Sequence, residues 1–176
     1  MSSKISEILC RAGSAEDVEG LVRLHRRYLY LGPLDGDIQS GFVRFEYTEE
    51  DFTHMVRHSE IAVASCEDEV IGYYLVGHSI ETSAFNAQKR MVRSLGHSLF
   101  DVAVGAQAVV DERYRGLGVL HRMLRTLEPM LRDRYEYLFS QVSKVNAQAL
   151  SAHLRTGYRI VGETDDRYYV IYTVKR

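Results

Sequence analysis

The chain has no tryptophan, two cysteines (Cys10 and Cys66), two prolines (Pro33 and Pro129) and no long apolar run. Each scarcity excludes something. Two cysteines are too few for a disulfide framework or a zinc site, so no metal is expected. No stretch approaches the roughly 20 apolar residues that cross a bilayer. Charge of one sign is missing too: 22 Lys and Arg stand against 24 Asp and Glu, a balance without the basic footprint of a nucleic-acid binder. The opening Met1-Ser2-Ser3-Lys4-Ile5-Ser6-Glu7 puts a glutamate where a signal peptide needs its apolar core. These features predict a cytoplasmic protein that engages neither membrane nor nucleic acid. No repeat and no linker-like stretch divides the 176 residues, which therefore read as one domain over 1–176.

What the chain does have is concentrated between Val109 and Leu120, written Val-Val-Asp-Glu-Arg-Tyr-Arg-Gly-Leu-Gly-Val-Leu. An apolar run, 100–110, leads into it, and an amphipathic helical pattern, 119–131, leaves it. A strand thus enters a glycine turn that opens a helix. Gly116 and Gly118 allow torsions that a side chain forbids and a close approach of backbone to ligand. The first N–H groups of the helix lack partners within it and carry the positive end of its dipole, which suits a phosphate. Arg113 and Arg115 could add charge-assisted hydrogen bonds to the same anion. The dinucleotide fingerprint needs a third glycine and a downstream acid, and the ATP loop needs Gly-Lys-Ser/Thr; neither is here.

Arg113-x-x-Gly116-x-Gly118 resembles motif A of the GNAT superfamily of acetyl-CoA-dependent N-acetyltransferases, with Val110 where that family's strand ends. Asn146-x-x-Ala149, followed by Gly157-Tyr158, resembles the family's downstream Asn-x-x-Ala…Gly-Phe segment in the same order and spacing. The resemblance implies an α/β (α+β) fold, a mixed and mostly antiparallel sheet of six to seven strands flanked by helices and splayed between strands 4 and 5. It further implies that acetyl-CoA is held by Ala108, Val109, Val110, Arg113, Arg115, Gly116, Leu117, Gly118, Val119, Leu120, Asn146, Ala149 and His153. The acceptor, a small-molecule or protein amine, would meet the variable region between the first two helices, where Phe42, Phe45, Glu46 and Tyr47 are the candidates. Homodimers are frequent in the family.

In order, Ile8–Ala12 reads as a first strand. Ser14 and Asp17 then form a near capping box for a helix carrying Val18, Leu21, Val22, Leu24 and Tyr28, stopped near Leu31-Gly32-Pro33. A loop over 34–47 follows, and Thr48 with Asp51 starts a second helix to about Arg57. Residues 60–66 and 70–76 read as a hairpin turning at Glu67-Asp68-Glu69. An insertion at about 79–97, flanked by His78 and His97, reads as an extra helix or ordered loop, a candidate lid or dimer contact. Gly105 marks a bulge in the fourth strand, which the resemblance also implies. Pro129 should kink or shorten the last turn of the helix after the glycine turn. Residues 135–142 form a fifth strand, Asn146 caps a helix ending at Thr156-Gly157, and 158–162 with 168–174 close the sheet.

Acetyl transfer needs the thioester held, its carbonyl polarised, the amine deprotonated and the thiolate stabilised. A backbone N–H near Val109 or Val110 would polarise the carbonyl. Asn146, Ala149, Leu150 and His153 share a helical face that also bears Leu154, so it should point inward. The position seven after the asparagine is commonly a tyrosine acid in the family; here it is His153. Acid, base and cofactor hydrogen-bond partner are all open to that histidine, with Tyr158, Tyr169 and Tyr172 as alternative acids. No carboxylate or histidine lies within Val102–Val110, where some family members carry a base, and Gln107 is its only polar side chain. A water relayed from Glu46, Glu112 or His153 would serve instead, or an amine that arrives neutral. Two other functions remain: a non-catalytic CoA-binding sensor or partner module, and a transferase using a longer acyl-CoA.

Overall fold

The computed structural model describes residues 7–32, 41–58, 61–76, 83–98 and 102–174. Among these residues seven strands form one sheet: β1 (Leu9–Ala12), β2 (Ile61–Cys66), β3 (Glu69–Val76), β4 (Val102–Val110), β5 (Tyr137–Ser143), β6 (Arg159–Glu163) and β7 (Arg167–Thr173). Their order across the sheet is β1-β2-β3-β4-β5-β7-β6. Five helices cover it: α1 (Val18–Tyr28), α2 (Glu49–Arg57), α3 (Ser83–Ser94), α4 (Val119–Leu131) and α5 (Ala147–Arg155).

The local signals act as the side chains require. The Thr48 hydroxyl accepts the Asp51 N–H while Asp51 reaches back to the Thr48 N–H, closing a capping box at the start of α2. Ser14 and Asp17 make the corresponding box one 3₁₀ turn before α1. The turn between β2 and β3 is made by Glu67 and Asp68, both with positive φ. The segment 33–40, with Pro33 and Gly36, and the segment 77–82, with His78, lie outside the described residues.

The central strands of the sheet are buried on both faces. Leu21, Leu24, Phe52 and Met55 from α1 and α2 pack on Ile61, Val63, Tyr73, Leu75 and Val109. Met123, Leu124, Leu127 and Leu131 of α4 pack on the opposite side chains, among them Ala62, Ile71, Tyr74, Ala103 and Leu138. The expected insertion contains α3, and its Val92 is fully buried against Val102, Phe139 and Tyr169. This helix is a wall of the core. Pro129 does not shorten α4, which runs on to Leu131. Its missing N–H removes one bond, the Arg132 N–H donates again to the Glu128 carbonyl, and the buried Leu127 and Leu131 hold the last turn in place.

Two irregularities set the site. Neighbouring strands are antiparallel except β4 and β5, which run parallel and pair at only three positions, Val102 with Tyr137, Ala103 with Leu138 and Val104 with Phe139. Beyond Val104 they part. At that point β4 carries a bulge: Gly105 pairs with Val76 and Gln107 with Leu75, leaving one extra residue between them. The extra residue inverts the alternation, so Gln107 and Val109 share a face with Val102 and Val104.

Gly105 sits where no side chain fits. A Cβ there would lie 2.4 Å from the Ser140 Oγ and 3.0 Å from the Tyr74 hydroxyl. Those groups belong to a buried cluster in which the Tyr74 hydroxyl also meets the Tyr158 hydroxyl. Gly105→Ala should therefore lower stability by about 1–3 kcal/mol in denaturant unfolding. Adding Ser140→Ala should recover part of that loss; strict additivity of the two changes would refute the contact.

Candidate active site

Where β4 and β5 part, the edge of β4 is unpaired. The Asp111 N–H donates to the Ile71 carbonyl across the β3 side. Antiparallel alternation then turns the Val109 backbone toward β3 as well, and turns the N–H and C=O of Ala108 and Val110 into the gap. The free donors are therefore at Ala108 and Val110, not Val109. The Val110 carbonyl is taken by the Arg115 Nε at 3.0 Å.

The gap widens into a cleft of about 390 Å³, lined by Ala108, Val109 and Val110 of β4, by the glycine turn, and by one face of α5. Gly116 and Gly118 have φ of +77° and +75°, and nothing lies within 4 Å of a Cβ built on either. Left-handed backbone explains why glycine stands at both positions. The open space explains what the turn presents, a concavity of N–H groups at the start of α4.

The turn is braced from below. Asp111 is buried and accepts the Arg113 backbone N–H, the Arg113 Nε and Nη2 (each at 3.0 Å) and Arg27 Nη1 at 2.6 Å. Burial alone would raise the Asp111 pKa; the Arg113 hydrogen bonds outweigh it and hold it below its ordinary value of 3.8. Arg113 also donates to Glu69 at 2.8 Å. Arg113 and Leu117 thus stand outside the cleft lining, Arg113 as the brace of the turn and Leu117 packed against the core. Glu112 is exposed, and its N–H donates to the Tyr28 hydroxyl. Arg115 faces the cleft, stacked on the Tyr28 ring at 5.1 Å.

Asn146 caps α5 through the Ala149 N–H, and it also ties down the loop that crosses from the other side. Its Oδ1 accepts the Gly41 N–H and its Nδ2 donates to the Phe42 carbonyl. Arg115 Nη2 reaches the Gly41 carbonyl. Gly41 and Phe42 are thereby held over the cleft. Of the other acceptor-side candidates, Tyr47 is buried in the core beside His25 and Phe52, Phe45 packs against the same cluster, and Glu46 points to solvent.

A buried polar chain secures this loop from beneath. The Tyr47 N–H donates to His25 Nε2 at 3.0 Å, so His25 carries its proton on Nδ1 and donates to the Tyr73 hydroxyl at 2.9 Å. Tyr73 donates to Gln107 Oε1 at 2.6 Å, and Gln107 Nε2 donates to the Phe45 carbonyl. Every proton has one place. Burial lowers the His25 pKa.

His153 lines the cleft, with Tyr158 and Tyr74 packed edge-on at 4.9 and 6.5 Å between centroids. Leu154 does not share its burial and is 40% exposed, off the inward face of α5 that carries Asn146, Ala149, Leu150 and His153. The alternative acids lie elsewhere. Tyr158 is bonded within the hydroxyl cluster, Tyr172 donates to Glu128, and Tyr169 stacks on Phe139. The cleft also takes in Tyr114, His121, Gln148, Ala152, Arg155 and Thr156. Ala152 and Thr156 fall three and seven residues after Ala149, a helical spacing that extends the Asn146 face and could have identified them.

No protein-family profile matches the chain, and no curated protein sequence does. Solved structures do. Ard1 from Thermoplasma volcanium superposes with a TM-score of 0.65 at 16% identity, over 97% of this chain and 99% of that one. PaiA N-acetyltransferase from Thermoplasma acidophilum, in complex with coenzyme A, gives 0.68 at 14% identity over 94% and 98%. YncA of Salmonella typhimurium, a putative acetyltransferase solved with acetyl-CoA, gives 0.64 at 12% over 96% and 95%. The chain has the GNAT fold.

Neutral His25 makes stability depend on pH. Its folded pKa lies below the ordinary 6.5, so the unfolded chain takes up the proton first, and stability falls as pH drops from 6.5 through the folded value. Unfolding free energies between pH 8 and 5 should decline accordingly. His25→Gln should be destabilised by about 1–3 kcal/mol at pH 8 and should show a shallower acid-side decline. An unchanged slope would remove His25 as its source.

Proposed function

We propose that this chain is an N-acetyltransferase that moves the acetyl group of acetyl-CoA to a primary amine while both are bound. The observation that carries the reading is the parting of β4 from β5 directly beneath a left-handed double-glycine turn at the start of α4. A thioester on a long amide-bearing arm needs strand-like hydrogen bonds along the arm and an anion site at its phosphate end. The cleft has both, in that order. Among the matched structures, YncA was solved with acetyl-CoA and PaiA with coenzyme A, which supports the same donor here.

In this reading the pantetheine arm pairs with Ala108 and Val110, and the phosphates meet the N–H groups of Gly116 to Leu120 with Arg115 beside them. Asn146 and Ala149 flank the arm from α5. An N–H at Ala108 or Val110 would polarise the thioester carbonyl, a contribution of the order of 10²- to 10³-fold for one donor. The remainder comes from holding the amine against the acyl carbon. Phe42 is the acceptor-side candidate placed at the cleft.

Calorimetric titration with acetyl-CoA, with free CoA as control, should give micromolar binding, and a panel of amines should release free thiol. Gly118→Leu should weaken CoA by at least about 30-fold. It should still unfold cooperatively, with about 1–2 kcal/mol lost to the left-handed backbone. No binding at millimolar acetyl-CoA would refute the reading; tight binding without turnover on any amine would favour a CoA-sensing module.

A further inference from the structure

His153 occupies the position at which the resemblance implies a proton donor, yet its surroundings point the other way. Its Nδ1 lies 2.8 Å from the Ala149 carbonyl oxygen, one helical turn back on α5. A carbonyl has no proton to give, so the contact is a hydrogen bond only if Nδ1 carries the hydrogen. In a neutral imidazole the other nitrogen is then a bare acceptor. Nε2 has no partner among the described residues and is not sealed in the core, and the residue lines the cleft.

From this geometry we infer that His153 takes a proton from the attacking amine through Nε2 and passes that same proton to the departing sulfur. The inference rests on the acetyl-transfer reading above. The balance closes within the two substrates. The amine lone pair forms the N–C bond, the C–S bonding pair leaves on sulfur, and the surplus ammonium proton travels to Nε2 and then to the thiolate. No external base or acid is consumed. The Ala149 carbonyl favours the intermediate imidazolium, since the Nδ1–H bond strengthens when the ring is charged.

The neighbours leave this role to His153. Tyr158 and Tyr74 present ring edges, with their hydroxyls turned to each other and to Ser140. Burial pushes both phenols up, so they stay neutral. Among the described residues the charged side chains lining the cleft are Arg115 and Arg155, with His121 at its α4 side, and none of them is a carboxylate. Gln107, the one polar side chain of β4, has its amide engaged by Tyr73 and Phe45. Burial lowers the His153 pKa, partly offset by the Ala149 bond. The ring is therefore neutral through the neutral pH range, as an acceptor must be.

Two measurements test the proposal. Long-range ¹H–¹⁵N spectra of the wild-type chain at pH 7.5, assigned with His153→Gln, should show His153 with hydrogen on Nδ1 and none on Nε2. This needs no substrate, so it stands whether or not the chain turns over acetyl-CoA. A hydrogen on Nε2 would overturn the proposal. The second is the pH profile of kcat/KM for whichever of spermidine, an aminoglycoside, a lysine peptide and an alanine-first peptide is acetylated fastest. Protonation of the amine alone gives a slope of one on the acid side; His153 should steepen it to two once the pH falls below its own pKa, which burial holds under the ordinary 6.5. His153→Gln should keep a slope of one, lose about 10²-fold in kcat, and bind CoA within about threefold of wild type. His153→Tyr should also lack the steeper limb. A slope of two surviving in both variants, or a kcat loss under about threefold, would refute the proton transfer while leaving the acetyl-transfer reading intact.

Discussion

Everything in the site follows from one interrupted ladder. Backbone donors and acceptors inside a protein have to be paired, and a sheet pairs them by running its strands together. Here β4 and β5 stay together for three residue pairs and then separate. The bulge at Gly105 supplies the change of direction, and contact with Ser140 and Tyr74 fixes where the change begins. Above it, the N–H and C=O groups of Ala108 and Val110 face a space instead of a strand. Arg115 covers one of these, the Val110 carbonyl, with a side chain. The others are left to whatever enters. A cleft made this way is lined by backbone of fixed direction, whose donors no side-chain substitution short of proline removes.

The loop over the cleft is held by polar bonds at both ends. Asn146 and Arg115 grip Gly41 and Phe42 from above. The chain of His25, Tyr73 and Gln107 grips Phe45 and Tyr47 from below. Such bonds contribute about 1 kcal/mol each when complete, but leaving one member buried and unpaired costs more. Their main effect is therefore on position. The loop cannot drift without orphaning a buried donor, so the acceptor side of the cleft has a defined wall although, among the described residues, its one β-bridge is Leu29 with Val43.

Much of this was legible in the residues. The capping pairs Ser14–Asp17 and Thr48–Asp51, the strand-turn-helix around Gly116 and Gly118, the bulge at Gly105 and the cap at Asn146 all depend on local chemistry, and local chemistry is what a sequence displays. The departures are these. Arg113 reads as an anion ligand in the sequence, whereas in the fold its guanidinium lies on Asp111, two residues back, and on Glu69. Tyr47 falls with Phe42 in the region that the resemblance assigns to the acceptor, whereas His25 and Phe52, from two different helices, draw it into the core. Periodicity puts Leu154 on the inward face of α5, yet it is 40% exposed. Contacts that side chains make with partners elsewhere in the fold, Glu69 for Arg113 and His25 for Tyr47, are what a sequence does not display.

The same distinction bears on how protons are handled. Gln107 is the one polar side chain on the strand that flanks the cleft, and a carboxylate there would make an obvious base. In this chain its amide oxygen accepts from Tyr73 and its nitrogen donates to Phe45, a pair of bonds that needs an acceptor and a donor on one side chain. A glutamate could supply only the first when ionised, and it would confront the Phe45 carbonyl with a second negative oxygen. The architecture that fixes the loop thus excludes a charged group from β4. Under the proton-transfer proposal the chemistry falls to the opposite wall, where α5 offers one titratable ring, His153, with its Nδ1 bonded within its own helix.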